Sequence, residues 1–147
     1  VTDAVDEVEL RKVFRERLKT VTGLPAVIAW ENVVTAPPAL PTGGGSVLWM
    51  EEVHRLLSEK ASSTCLNEAV GEVLYLIFIP KGGGTREADE LAQRICVAFR
   101  PRQSLTSSAI TVMLEVTDRR PYREHERYPG WVFKTVAVQW RSFSSVT

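Results

Sequence analysis

At 147 residues, 44% apolar and 24% charged, the chain has the size of one domain spanning 1–147 and an ordinary globular composition, which argues against disordered or fibrous classes. Eighteen basic residues balance eighteen acidic ones, so no net field draws the whole domain to nucleic acid or to an anionic membrane. No apolar run reaches the roughly eighteen residues of a membrane span, and the acidic, amphipathic N-terminus does not read as a leader. Cys65 and Cys96, too few for a disulfide framework, read as free thiols of a reducing cytoplasm.

Residues 3–21 place Leu10, Val13, Phe14, Leu18 and Val21 on one helical stripe. Asp3 or Asp6 can cap that helix, its acidic start and basic end suit the helix dipole, and Gly23 with Pro25 stops it. A short strand is expected in "AVIAWEN", followed by an irregular loop in "TAPPALPTGGGS". Residues 47–57, "VLWMEEVHRLL", fit a helix and a strand equally, and a polar loop is expected from there to about Gly71. "VLYLIFI", 73–79, is apolar throughout and rich in strand formers, which predicts a central strand covered on both faces. Residues 85–99 predict a helix capped by Thr85, with Ala88, Leu91, Ala92, Ile95, Cys96 and Phe99 facing the core and Pro101 beyond its end. Two antiparallel strands follow at 109–117 and 131–141, joined by "DRRPYREHERYPG", which is polar enough to predict an exposed, projecting hairpin.

Chemistry-bearing motifs are weak. "PKGGGTRE" puts glycines between a strand and a helix, where backbone N–H groups can cradle a phosphate. A P-loop needs a lysine after its last glycine, however, whereas Lys81 precedes Gly82, Gly83 and Gly84. The glycines therefore read as a structural turn in which at least one residue has positive φ and all three matter for folding. His54, His125, Cys65 and Cys96 are scattered singly, without the paired spacing of a metal site, and "TGGGSV" lacks the second glycine of a nucleophile elbow. Glu51 with Glu52, and Glu124 with Glu126, read as solvated surface charge, so no residue takes a catalytic role and no cofactor is expected. Arg119, Arg120, Arg123 and Arg127, with Tyr122 and Tyr128, are the components of a phosphate- and base-contacting patch, but Asp118, Glu124 and Glu126 cancel most of the charge. Trp30, beside Glu31 and Asn32 and ahead of Pro37 and Pro38, either caps the core or anchors a partner.

"IAWEN" before a Pro-containing loop, an apolar strand ending in "IPKGGG", a helix ending in "AF" and a late "PGW" opening the last strand resemble, in order and spacing over about residues 8–141, the small tail-terminator or tail-completion proteins of long-tailed bacteriophages and prophages. The resemblance implies that 47–57 is a strand, giving the order helix, three strands, helix, two strands. That is an α+β fold with one mixed, mainly antiparallel sheet of about five strands and two main helices. It further implies a non-enzymatic virion protein assembled in the host bacterial cytoplasm. Its copies would form a closed ring, usually a hexamer, that caps the tail tube, stops polymerisation of the major tail protein and meets the head connector. DNA would pass through the lumen without base-specific contact, and no membrane is involved. Interaction then falls to Trp30, Glu31, Asn32, Pro37, Pro38 and the hairpin arginines. The helix-like "MEEVHRLLSEKA" and the long charged stretch 118–129 depart from the family pattern. The competing readings are another neck or head-completion protein, and a small α/β nucleotide-binding module or enzyme built on Gly82–Gly84.

Overall fold

The computed structural model describes residues 7–31, 35–41, 47–61, 66–107 and 110–145. The elements run α1 (Glu7–Leu18), β1 (Ile28–Ala29), β2 (Trp49–Ala61), β3 (Leu66–Pro80), α2 (Arg86–Ala98), β4 (Ser104–Thr106), β5 (Thr111–Arg119), β6 (Arg123–Glu124) and β7 (Trp131–Ser145). All seven strands form one sheet in the order β1-β2-β3-β7-β5-β4, with β6 hydrogen-bonded to β7 off that path. Among the described residues only the β1–β2 pair is parallel. The expected class is therefore found: an α+β domain with two helices and a single mixed, mostly antiparallel sheet.

Within 47–57, residues from Trp49 onward belong to a strand because the chain follows a period of two. Met50, Glu52, His54 and Leu56 face the helices, while Trp49, Glu51, Val53 and Arg55 face away, as their partners Ile77, Tyr75, Val73, Gly71 and Phe78, Leu76, Leu74, Glu72 do on β3. A bulge at Leu57 then shifts the register. The polar loop expected up to Gly71 is instead the rest of a long hairpin. β2 continues to Ala61 and β3 starts at Leu66, because alternate polar residues such as Lys60 and Glu68 pair across the strands on a solvent-facing side. β4 and β6 were not expected; three and two residues are too few to show a period.

Both helices lie on one face of the sheet. Leu10, Val13, Phe14 and Leu18 of α1 join Leu91, Ala92 and Ile95 of α2 and Phe99 over Met50, Tyr75, Ile77, Val136, Val138 and Trp140. Phe14 stacks on Phe99 with ring centroids 5.7 Å apart. Thr85 occupies the N-cap position of α2 but makes no side-chain cap hydrogen bond, so the Asp89 N–H bonds only to the Thr85 carbonyl in the usual helical way. The cap residues read for α1, Asp3 and Asp6, lie outside the described residues, as do Cys65 and Asn32.

The other face carries a second cluster: Trp49, Leu74, Leu76, Phe78, Trp131 and Ala137, with Tyr128 and Phe133 packed against it. Trp49 stacks on Phe78 at 4.0 Å, and Tyr128 meets Trp49 edge-on at 4.8 Å. Most of the connecting arm is exposed, as expected, but these contacts show that it does not project. The 119–130 arm folds back, pairing Arg123 and Glu124 with Phe133 and Val132, and its aromatic residues close over one end of the sheet.

Candidate functional site

The glycine loop behaves as a turn. The Gly83 N–H donates to the Pro80 carbonyl at 2.9 Å and the Lys81 N–H to the Gly130 carbonyl at 2.8 Å, so two amides that a phosphate would use are already bonded. Lys81 Nζ lies 2.6 Å from Glu124 Oε1 across the surface. Of Gly82, Gly83 and Gly84 only Gly82 has positive φ, at +82°. A Cβ on Gly84 would meet nothing within 4 Å, which corrects the expectation that all three are needed.

The hairpin arginines divide by environment. Arg123 and Arg127 are exposed, and Arg119 is exposed at the end of β5 on the helix side. Arg120 instead reaches over the helix-free face, with Nη2 3.8 Å from Glu72 Oε2 and Nε 3.6 Å from Asp118 Oδ2. Arg55 approaches the same Glu72 from β2 at 3.5 Å, so one carboxylate ties strand β2 to the arm. Tyr122 leaves the arm on the opposite side, where its hydroxyl donates to Asp89 Oδ1 at 2.9 Å beside Lys134 Nζ at 3.2 Å. Burial and the Asp89 hydrogen bond push the Tyr122 hydroxyl well above its ordinary range. Partial burial pushes Asp89 up, but the bonds from Tyr122 and Lys134 outweigh it and leave the carboxyl below its usual value. The four arginines thus do not converge on one patch.

Trp30 and Glu31 are drawn to the opposite edge. Trp30 packs half-buried against the main core with the Arg15 guanidinium 5.2 Å above its ring. Glu31 Oε2 accepts the backbone N–H of His54 at 2.6 Å, and its carbonyl accepts from Arg15 Nη2 at 3.2 Å. The Glu31 carboxylate occupies the edge position that a longer β1 would have used, which is why the strand stops at Ala29. Pro37 and Pro38 are half-buried rather than projecting, and Leu40 lies against Gly130, so the Pro-rich loop and the arm share one end of the domain.

Glu52, expected from the sequence to be solvated surface charge, is instead buried beneath α1 beside His54 and Tyr75, because the strand period turns it to the helix side. Glu52, whose side chain is fully buried, accepts from Arg15 Nε at 3.1 Å, and His54 Nε2 stands 3.2 Å from the same oxygen. Tyr75, directly across from Glu52 on β3, has a buried hydroxyl with no partner among the described residues, and burial together with Glu52 pushes it well above its ordinary range. The signal that finds this group is the strand period itself. Once 49–56 alternates, Glu52 and His54 fall on the apolar face, where unpaired polar side chains are costly. Among the described residues no three His, Cys, Asp or Glu side chains gather as a metal-binding group, and no helix is long and apolar enough to cross a membrane.

No model of a known family matches the chain, and no curated protein matches it. A solved structure whose name carries no functional description is similar over 94% of this chain and 96% of its own, with a TM-score of 0.62 and 18% identity. At that identity the similarity concerns the fold, which the two chains share over nearly their whole lengths.

Proposed function

We propose that the protein is a structural assembly component of a long-tailed phage or prophage. In this reading it forms a homo-oligomeric, hexameric ring that caps the tail tube, halts polymerisation of the major tail protein and offers a surface to the head connector. The observation that carries this reading is the helix-free face of the sheet. Beyond the reach of the 119–130 arm, Met113, Val116 and Phe143 stand 41%, 45% and 50% exposed there. They surround Arg141, which holds Glu68 at 2.6 Å and also pairs with Glu115. Exposed Met and Phe around a fixed arginine is the composition of a protein-binding surface rather than of a solvated sheet.

Three further features support it. The sequence resemblance runs through the chain in order and needs no catalytic residue or cofactor. Balanced charge suits a protein that contacts copies of itself and other structural proteins, with DNA passing through the lumen without base-specific contact. A heterologous ring presents different faces up and down, so one face binds the tube end and the other does not extend it.

The test is deletion in a phage that encodes the protein, with electron microscopy of the particles and native mass spectrometry of the purified chain. Overlong tails and a closed hexamer are expected, and Phe143→Asp should leave a folded monomer that no longer closes the ring. Tails of normal length that fail to join heads would move the protein to the head side of the neck. A wild-type monomer with unaltered tails and joined heads would overturn the reading.

A further inference from the structure

Gly71 and Trp140 are neighbours across β3 and β7 on the helix side, and the indole lies over the glycine so closely that a Cβ there would stand 2.4 Å from Cζ2. The glycine acts as a notch. Through it Trp140 reaches across β3 toward the β2 edge, and the same Cβ would stand 2.6 Å from the Arg55 carbonyl. At that edge a cavity of about 110 Å³ opens beneath the start of α1, lined by Leu10, Arg11, His54, Leu56 and Trp140 with Glu7 and Glu31 also on its wall. The volume exceeds what one water needs.

Three side chains of this lining carry a buried nitrogen with no hydrogen-bond partner among the described residues. Trp140 is 1% exposed and its Nε1–H has no acceptor. The His54 side chain is 8% exposed, and neither ring nitrogen makes a hydrogen bond, although Nε2 stands 3.2 Å from Glu52 Oε1. The Arg11 side chain is 24% exposed and its Nη2 pairs with Glu7 at 3.9 Å, while its Nε is buried without an acceptor among the described residues. Orphaned donors on several elements around one cavity are costly unless something accepts from them. Tryptophan can only donate, and arginine can only donate.

We propose that this cavity is a binding site for a single carboxylate group. A carboxylate offers two acceptor oxygens, enough for the Trp140 and Arg11 donors with the His54 imidazole completing the ring. Glu7 and Glu31 on the wall repel any anion, and a dianion such as phosphate more than a monoanion, so a single negative charge set against Arg11 suits the site better. Arg55 also lines the cavity, but its guanidinium is engaged with Glu72. The carboxylate comes either from a free small acid or from an acidic side chain or terminus of a second copy, and the chemistry at the site is the same.

The indole signals of a ¹⁵N-labelled protein test this directly, since the chain has four tryptophans and Trp140→Phe identifies the one concerned. Sodium acetate should shift the Trp140 indole proton saturably, while sodium chloride of the same ionic strength should not. Arg11→Met, at a half-buried helix position, should keep the fold and weaken acetate by about tenfold, the effect of one lost charge-assisted hydrogen bond. A shift that appears on raising the protein concentration without acetate assigns the carboxylate to a second copy, and a shift seen only with acetate assigns it to a free acid. An indole signal unmoved by acetate and by concentration, or moved equally by chloride, would overturn the proposal and leave the cavity to water. Should Trp140→Phe fail to fold, backbone-linked assignment of the wild-type signal and Arg11→Met give the same decision.

Discussion

On one side of the sheet, Phe14, Leu91 and Ile95 close over Tyr75, Val136 and Trp140; on the other, Tyr128 and His125 close over Trp49 and Phe78 at one end only. A helix repeats its apolar stripe every turn, so its cover is continuous and any polar group beneath it is trapped, as Glu52, His54 and Tyr75 are. The arm covers only as far as its aromatic residues reach. Past them the sheet is protected by ion pairs around Glu72 and then left open at Met113, Val116 and Phe143. Continuous cover therefore concentrates polar problems inside, and partial cover leaves apolar side chains exposed outside.

Four substitutions break or sharpen that contrast. Gly71→Val attacks the covered face where strand and indole are closest, and both the Trp140 ring and the Arg55 carbonyl stand in its way. Overpacking there should cost about 3 kcal/mol or more and prevent folding at ordinary temperature, which urea denaturation would register. Trp49→Ala tests whether the aromatic cluster under the arm is a core in its own right. Trp49 is completely buried, so a loss of about 3–5 kcal/mol is expected, equal to that of a helix-side aromatic such as Phe14→Ala. A loss under about 1 kcal/mol would make the arm a surface ornament.

Asp89→Asn removes the acceptor that holds Tyr122 and Lys134 at the seam between arm and α2. Because this carboxyl is held below its usual value, its contribution is present above the unfolded value of about pH 4 and disappears as pH falls through the lower folded value. Wild type should exceed the variant by about 1 kcal/mol or less at neutral pH, the group being half exposed, and the two should converge in acid melting curves. Tyr75→Phe should change neutral stability least, since the lost hydroxyl has no partner among the described residues. Its raised folded value means that stability is complete below about pH 10 and falls as pH rises through that value, so the variant should flatten the alkaline limb of the stability profile.

Both helices, the central strand and the two late strands were legible because each carries a repeat long enough to show its period. β2 was not. Trp49, Val53 and Leu57 share a face in either geometry, and only the pairing with β3 decides between them. The misreading of 119–130 has a different origin. Its arginines and glutamates announce solvent, but Tyr122, His125 and Tyr128 are spaced among them without a period, and an irregular segment folds down wherever its aromatic residues find a ring to meet. The cavity was out of reach for the same reason, since Gly71 and Trp140 become related only when β3 and β7 are side by side.

The strand order places β7, the last described element, between β3 and β5. A growing chain that has reached Arg119 holds one ladder of β1, β2 and β3 and another of β4 and β5, and the two share no edge. Until 131–145 is supplied, the facing sides of β3 and β5 are unpaired apolar templates, and Val73, Tyr75 and Ile77 are open to any extended segment that arrives first. The sheet thus closes like a zip whose slider is its last described strand. Yield in the cell should depend more on how quickly that strand docks than on the stability of the finished sheet.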